Sequence, residues 1–139
     1  MSVIGTAYSG MQASMMRLQA SASNIANADS TGPVQPSAST GAAQAYRPIE
    51  LQQGDMAGGG TYGRFGAVTP ATIERYDPSS PHADARGMIA APNVDPAGEL
   101  VNQAATKIAF EANLRVLETG GRTDKAILKK RSCDSACAR

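Results

Sequence analysis

From residue 4 to residue 25, apolar side chains recur at Ile4, Tyr8, Met11, Met15, Leu18, Ala22 and Ile25. The steps alternate between four and three, which is the a/d stripe of a helix suited to meeting another helix. Ser, Gln, Arg and Ala fill the positions between, and no proline intervenes. The pattern predicts an α-helix over residues 3–28, on the order of 37 Å long. Gly5 and Gly10 each weaken it by roughly 1 kcal/mol relative to alanine, so it should be stable only against a partner. An ordinary amphipathic core helix would show the same periodicity.

Beyond residue 28 the pattern dissolves. Asp29-Ser30-Thr31-Gly32-Pro33 breaks the helix, and Ser, Thr, Ala, Gly, Gln and Pro dominate as far as residue 63. This composition reads as a linker, with one island, Tyr46 to Leu51, able to form a short strand. Residues 64–94 read as short extended pieces anchored by Phe65, Val68, Ile73 and Tyr76, with turns at Asp77-Pro78 and Ser80-Pro81 and a short strand at Met88-Ile89-Ala90. Asp95 then suits a helix cap, Pro96 a first helical position and Glu99 the positive end of the dipole. In this second helix one stripe runs Val101, Ala105, Ile108, Ala112, Val116, and a neighbouring one holds Phe110, Leu114 and Leu117. Together they form an apolar face wide enough for more than one neighbour. Gly120-Gly121 either ends this helix or weakens its continuation.

The expected organisation is an N-terminal axial helix (1–28), a flexible middle with short strands (29–94), a C-terminal axial helix (95–131) and a tail (132–139). The expected fold class is mainly α, with long terminal helices paired as an antiparallel coiled coil and a small irregular or β middle segment.

Composition narrows the function classes. The chain has 139 residues and a formal net charge of +1, with four Tyr, two Phe and no Trp. A balanced charge offers no footprint for nucleic acid or an anionic membrane. Scarce aromatics argue against a self-sufficient enzyme core. No apolar run is long enough to span a bilayer, and the first residues lack the basic and apolar stretches of a secretory signal. From Arg122 onward six Lys and Arg stand against two Asp, a net +4; such a run is either a solvated surface or a contact for an acidic neighbour. Cys133 and Cys137 are too few for a zinc site without nearby His, and read as an incidental pair or one that oxidises outside the cytoplasm.

Candidate chemistry is thin. Gly58-Gly59-Gly60-Thr61-Tyr62-Gly63 matches G-x-G-x-x-G in letters, but lacks the preceding buried strand and following helix that a dinucleotide site needs. His82, with Ser79, Ser80 and Asp84 nearby, suggests a triad only on paper, because a turn rarely holds that geometry. Asp77 and Asp84 fit turn-bracing through backbone N–H groups. The reading is therefore no catalytic residue, no cofactor and no metal.

Two stretches carry a resemblance. Ser9-Gly10-Met11-Gln12-Ala13, Arg17-Leu18 and Ala22-Ser23-Asn24-Ile25-Ala26-Asn27-Ala28 resemble the N-terminal signature of flagellar rod, hook and hook-associated axial proteins. Tyr76-Asp77-Pro78-Ser79-Ser80-Pro81, Ala83-Asp84-Ala85-Arg86-Gly87, Pro92-Asn93-Val94 and Phe110-Glu111-Ala112-Asn113 are similar to the proximal-rod FlgC type of the flagellar basal-body rod family, as is the Tyr46-Arg47 pair. The resemblance implies a structural subunit, exported unfolded without a cleaved signal and assembled in the periplasmic space into a helical tube. It implies paired terminal helices forming the inner wall. The implied partners are copies of the chain, other rod proteins, and ring and export-gate proteins at the rod base, with no nucleic acid and no membrane insertion. The assembly residues expected on this basis are Ile4, Tyr8, Met11, Met15, Leu18, Ala22, Asn24, Ile25, Asn27, Val101, Ile108, Phe110, Ala112, Asn113, Leu114 and Leu117, with Asn24 and Asn27 as packing residues that bond backbone groups. A soluble interaction module that keeps the helices but enters no rod is the second reading.

Overall fold

The computed structural model describes residues 2–35 and 44–137, with side chains described as far as residue 131. The part of the linker reading that falls on residues 36–43 lies outside the described residues, as do the side chains of Cys133 and Cys137. The order of elements is α1 (Val3–Ala26), β1 (Ile49–Asp55), β2 (Thr61–Ala67), β3 (Thr72–Tyr76), β4 (Met88–Pro92) and α2 (Pro96–Cys137).

Helix α1 starts where Ser2 accepts a hydrogen bond from the Gly5 N–H at 3.2 Å, and it spans about 36 Å. Helix α2 starts on Asp95, whose carboxylate takes the Ala97 N–H at 3.1 Å and whose carbonyl takes the Glu99 N–H at 2.9 Å. It runs about 63 Å and passes through Gly120-Gly121 without a break. The helices lie against each other in opposite directions. Asn24 of α1 reaches Glu99 of α2, Gly10 faces Asn113, and Ile4 faces Gly120.

The coiled coil expected between them is corrected by the burial. The α1 residues turned inward are Ala7, Ser9, Ala13, Ser14, Ala20, Ser21 and Asn24. Ala7, Ser14 and Ser21 repeat every seven positions, each one residue ahead of Tyr8, Met15 and Ala22, which are exposed. The helix is thus rotated by one position, about 100°, from the orientation the apolar stripe predicts. The cause is crowding. Helix α1 must touch α2 on one side and the β1–β2 ribbon on the other, and only Ala, Ser and Gly permit both approaches. On the α1 side most of the large a/d knobs that define a coiled coil are missing from this contact, Ile4 against Gly120 being an exception. Two of the buried hydroxyls are satisfied within their own helix, Ser14 donating to Gly10 O at 2.9 Å and Thr106 to Asn102 O at 2.6 Å.

The middle, expected to be irregular or β with short strands, is more regular than the linker reading of residues 29–63 allowed. It forms two antiparallel ribbons, β1 with β2 in register from Ile49–Ala67 to Asp55–Thr61, and β3 with β4 from Thr72–Pro92 to Tyr76–Met88. Gly32 extends the second, exchanging hydrogen bonds with Ala90 on the outer edge of β4 at 2.8 and 3.0 Å. Two-stranded ribbons have two faces and bury one at most. The expected anchors Phe65, Ile73 and Tyr76 are therefore exposed, while Ile89 is fully buried.

Residues 77–87, which join β3 to β4, are stiffened by carboxylates. Asp77 accepts from the Ser79 N–H and hydroxyl, and Asp84 accepts the Met88 and Arg86 N–H groups and the Arg86 guanidinium. Gly87 turns the chain back at φ +74°. The Met88 N–H, helped by Arg86, holds the Asp84 carboxyl below its ordinary value against the opposing effect of burial. A carboxyl depressed in the folded state stabilises the fold above the ordinary carboxylate range, and loses that contribution as pH falls through its lowered value. Amide exchange at Arg86 and Met88 should therefore stay slow through the usual carboxylate titration and quicken only in stronger acid. Asp84→Asn should remove that late step, and an unchanged profile would show that Asp84 does not hold the loop.

Candidate assembly surfaces

The best-built polar site is the junction of α1, β1 and α2. Asn24 is 3% exposed and uses its whole amide. Its Nδ2 donates to Ile49 O at 2.8 Å and to Glu99 Oε1 at 2.7 Å, and its Oδ1 accepts from Ile49 N at 3.0 Å and from the Tyr46 hydroxyl at 3.2 Å. Since Tyr46 spends its hydrogen on Asn24, the Ser23 hydroxyl donates to Tyr46, at 3.0 Å. Ser21 adds a bond to Glu99 O at 3.3 Å. Three stretches of chain, α1, residues 46–49 and the start of α2, are tied by one side chain. Asn27 is exposed and its side chain donates to Ser23 O, at 2.8 Å, closing the last turn of α1.

Around this hub the molecule hides very little large apolar surface. The buried hydrophobic residues described are Ala7, Ala13, Ala20, Ala45, Ala90, Ala91 and Ile89. The large side chains lie outside, and on the helices they are ordered. On α2 the least exposed line is Glu99, Gln103, Thr106, Phe110, Asn113, Leu117 and Gly120, at steps of four and three facing α1. The stripe Val101, Ala105, Ile108, Ala112 falls on the opposite side, with Val101 69% and Ile108 68% exposed. On α1 the outward residues are Tyr8 and Met15, 56% and 60% exposed. Tyr8, Met11, Met15 and Met16, with Met56 and Tyr62 of the β1–β2 ribbon, line an apolar groove of about 750 Å³.

The residues expected in an assembly contact thus divide. Phe110, Asn113 and Leu117 face α1 within the chain, and Asn24 sits in the hub. Ile4, Met11, Leu18 and Ile25 are half-buried along the flank of α1. Tyr8, Met15, Ala22, Val101, Ile108, Ala112 and Leu114 face outward. Pattern reading missed Ala7, Ser14, Ser21 and Thr106, whose signal was a seven-residue repeat of small side chains, and the role of Tyr46 and Glu99 in holding Asn24.

The candidate chemistry dissolves on inspection. Gly58, Gly59 and Gly60, all at positive φ, form the turn between β1 and β2, where no helix follows to receive a phosphate. The Ser79 hydroxyl is committed to Asp77 at 2.7 Å and not to His82. Among the described residues no three His, Cys, Asp or Glu side chains gather to hold a metal, and no helix is long and apolar enough to cross a membrane.

Comparison with known proteins agrees with the helical ends. The sequence model of the family described as "Flagella basal body rod protein" matches residues 4–33, and that described as "Flagellar basal body rod FlgEFG protein C-terminal" matches residues 85–129. The chain is 37% identical over 128 residues to the flagellar basal-body rod protein FlgC of Salmonella typhimurium, covering 86% of this chain and 88% of that one. It is 36% identical over 128 residues to FlgC of Escherichia coli, with the same coverage, and 29% identical over 143 residues to FlgC of Bacillus subtilis, covering 89% and 93%. Matches of this identity along nearly the whole chain, joined to two rod-family segments at its two helices, place it in the FlgC family of flagellar basal-body rod proteins.

Proposed function

We propose that this rod-family chain is a structural subunit that assembles through the outward faces of α1 and α2, joining copies of itself and other rod proteins at the flagellar basal body. The observation that carries the reading is the inversion of its surface. The buried face of α1 is alanine and serine with one asparagine, while Tyr8, Met15, Val101 and Ile108 stand in ordered rows outside. A monomer rarely leaves such rows open unless a neighbour covers them. The two rows lie on different helices, Tyr8 and Met15 along the groove beside the β1–β2 ribbon and Val101 and Ile108 on the side of α2 away from α1, so a contact made by one leaves the other free, which is how open polymers grow.

On this reading the chain has no catalytic role. Its exposed apolar rows and its all-polar hub fit a part that is placed and held. Export without a cleaved signal, a periplasmic position, and contact with ring and export-gate proteins at the rod base belong to the same proposal and are supported by family membership. Unfolded passage suits a chain with so small an apolar interior, because little packing has to be undone.

The test is a paired substitution, Val101→Asp with Ile108→Asp. Both sites are solvent-facing, so the purified variant should keep its helix content and change in stability by less than about 0.5 kcal/mol. Cells relying on it should lose swimming, and the chain should be missing from isolated basal bodies. Normal swimming with the variant incorporated would defeat the assembly reading. A soluble, fully helical wild-type chain that never enters basal bodies would favour the interaction-module alternative.

A further inference from the structure

Arg17 is the one charged side chain among the 24 residues of α1, and it donates to Gln53 at 3.2 Å. The outward arc, Tyr8, Gln12, Met15 and Gln19, is exposed and carries no charge. A helix face left to water ordinarily displays charged residues. The groove that this arc shares with the β1–β2 ribbon is equally neutral, since no Asp, Glu, Lys or Arg lines its volume of about 750 Å³. Four of the chain's six methionines, Met11, Met15, Met16 and Met56, do line it. Their unbranched thioether side chains adapt to the shape of a guest. A charged guest would lose its water there and meet no counter-ion, so the groove selects an uncharged one.

One element of the chain meets that requirement. Over residues 97–112 the side of α2 away from α1 is Ala97, Val101, Ala104, Ala105, Ile108 and Ala112, all exposed. The charges that border this ridge, Lys107 and Glu111, lie on one flank and pair with each other at 3.9 Å. Val101 and Ile108 stand up from the alanines seven residues apart, about 10.5 Å. Tyr8 and Met15, in the groove lining, have the same seven-residue spacing. Other exposed apolar side chains are flanked by charge, Ile73 and Tyr76 by Glu74 and Arg75, and Ile127 and Leu128 by Lys125 and Lys129. Because the ridge is on the side of α2 away from α1, a chain cannot seat its own. We propose that residues 97–112 of one copy lie in the methionine groove of a second copy of this chain, with Val101 and Ile108 seated among the thioethers. Each copy then gives its ridge to one neighbour and its groove to another, a head-to-tail contact. This rests on the rod reading above and names the partner of its two outward rows, which take each other.

The experiment uses the full chain in its host. Two versions are expressed together, one with a benzophenone amino acid in place of Ile108 and one with an affinity tag. Illumination of isolated basal bodies should link position 108 to the tagged copy within residues 8–19 or 56–63. Met15→Lys and Ile108→Asp should each lower basal-body content about tenfold or more, because each places an unpaired charge in the contact. Both positions are exposed, so circular dichroism of the purified variants should be unchanged. Met15→Lys combined with Ile108→Asp, or with Val101→Asp if the ridge lies in the other direction, should recover most of the wild-type content, since a lysine of one copy then meets an aspartate of the next. Full retention of Met15→Lys would overturn the self-contact and leave the rod reading intact. So would links from position 108 that reach only other proteins or lipid, with no recovery in either combination. Absence of the wild-type chain from basal bodies would overturn the rod reading itself, and the contact with it.

Discussion

Asn24→Ala should destabilise the isolated chain by about 3 kcal/mol or more, the largest loss expected from any single side chain. The amide makes four hydrogen bonds at 3% exposure, one of them to the Glu99 carboxylate at 2.7 Å. Truncation leaves the Ile49 N–H and carbonyl and the Glu99 carboxylate facing a space that no protein group fills, and an orphaned buried polar group costs about 1–3 kcal/mol. Asn24→Asp should be little better. It keeps the size and the two acceptor bonds from Ile49 and Tyr46, but sets a carboxylate against the Glu99 carboxylate and the Ile49 carbonyl. A double-mutant cycle with Glu99→Gln separates the parts. The Asp variant should regain stability when Glu99 is neutralised, because the glutamine amide can donate to the new carboxylate, while the Ala variant should not. Urea unfolding followed by circular dichroism reads all of these. A loss below about 1 kcal/mol for Asn24→Ala would mean that the junction is held by something other than this amide.

Gly10→Leu should be nearly as damaging, at about 2–3 kcal/mol, through a different mechanism. A methyl group on Gly10 would already stand 2.8 Å from Asn113 Nδ2 and 3.0 Å from its Oδ1. The obstruction is the end of a side chain that also donates to Ala109 O at 3.0 Å. Gly10→Ala can therefore be absorbed if Asn113 swings away, and its better helix propensity offsets part of the cost. Leucine cannot be absorbed, because it must push the helices apart along a contact made of Ala7, Ser14 and Ser21. Asn113→Ala combined with Gly10→Ala should be more stable than the sum of the single changes. Additive behaviour would show that the two residues do not meet.

These two residues also show how far the sequence could be read. Both helices are visible in the apolar periodicity, and Asp95, Pro96 and Glu99 mark the start of the second. The rotation of α1 was not visible. Periodicity weighs large side chains, and here Tyr8 and Met15 mark the side left open, while the face against α2 is chosen by smallness. Gly10 thus reads as a weak point in a helix and stands where the Asn113 side chain of α2 packs against α1. Asn24 and Asn27 look alike in the signature stretch, yet one is a buried four-bond junction and the other an exposed i−4 bond, a difference set by Ile49 and Glu99, which are remote in sequence. The ribbons were obscured because their alternation is carried by glycine. Gly54 stands opposite Tyr62, whose ring lies 2.7 Å from where a Cβ would be, and Gly63 admits Leu51 and Met16 at 2.7 and 3.2 Å in the same sense. Glycine at such positions signals close cross-strand approach, and read residue by residue it looks like a flexible linker.

The alanine-and-serine interior also has a thermodynamic consequence. Heat capacity on unfolding tracks newly wetted apolar area, which typically amounts to about 12–15 cal/mol/K per residue in globular domains. A chain whose hydrophobic rows are wet before it unfolds falls below that figure, and its stability curve is broad and shallow. The steep temperature response then belongs to the polymer, where those rows first become dry.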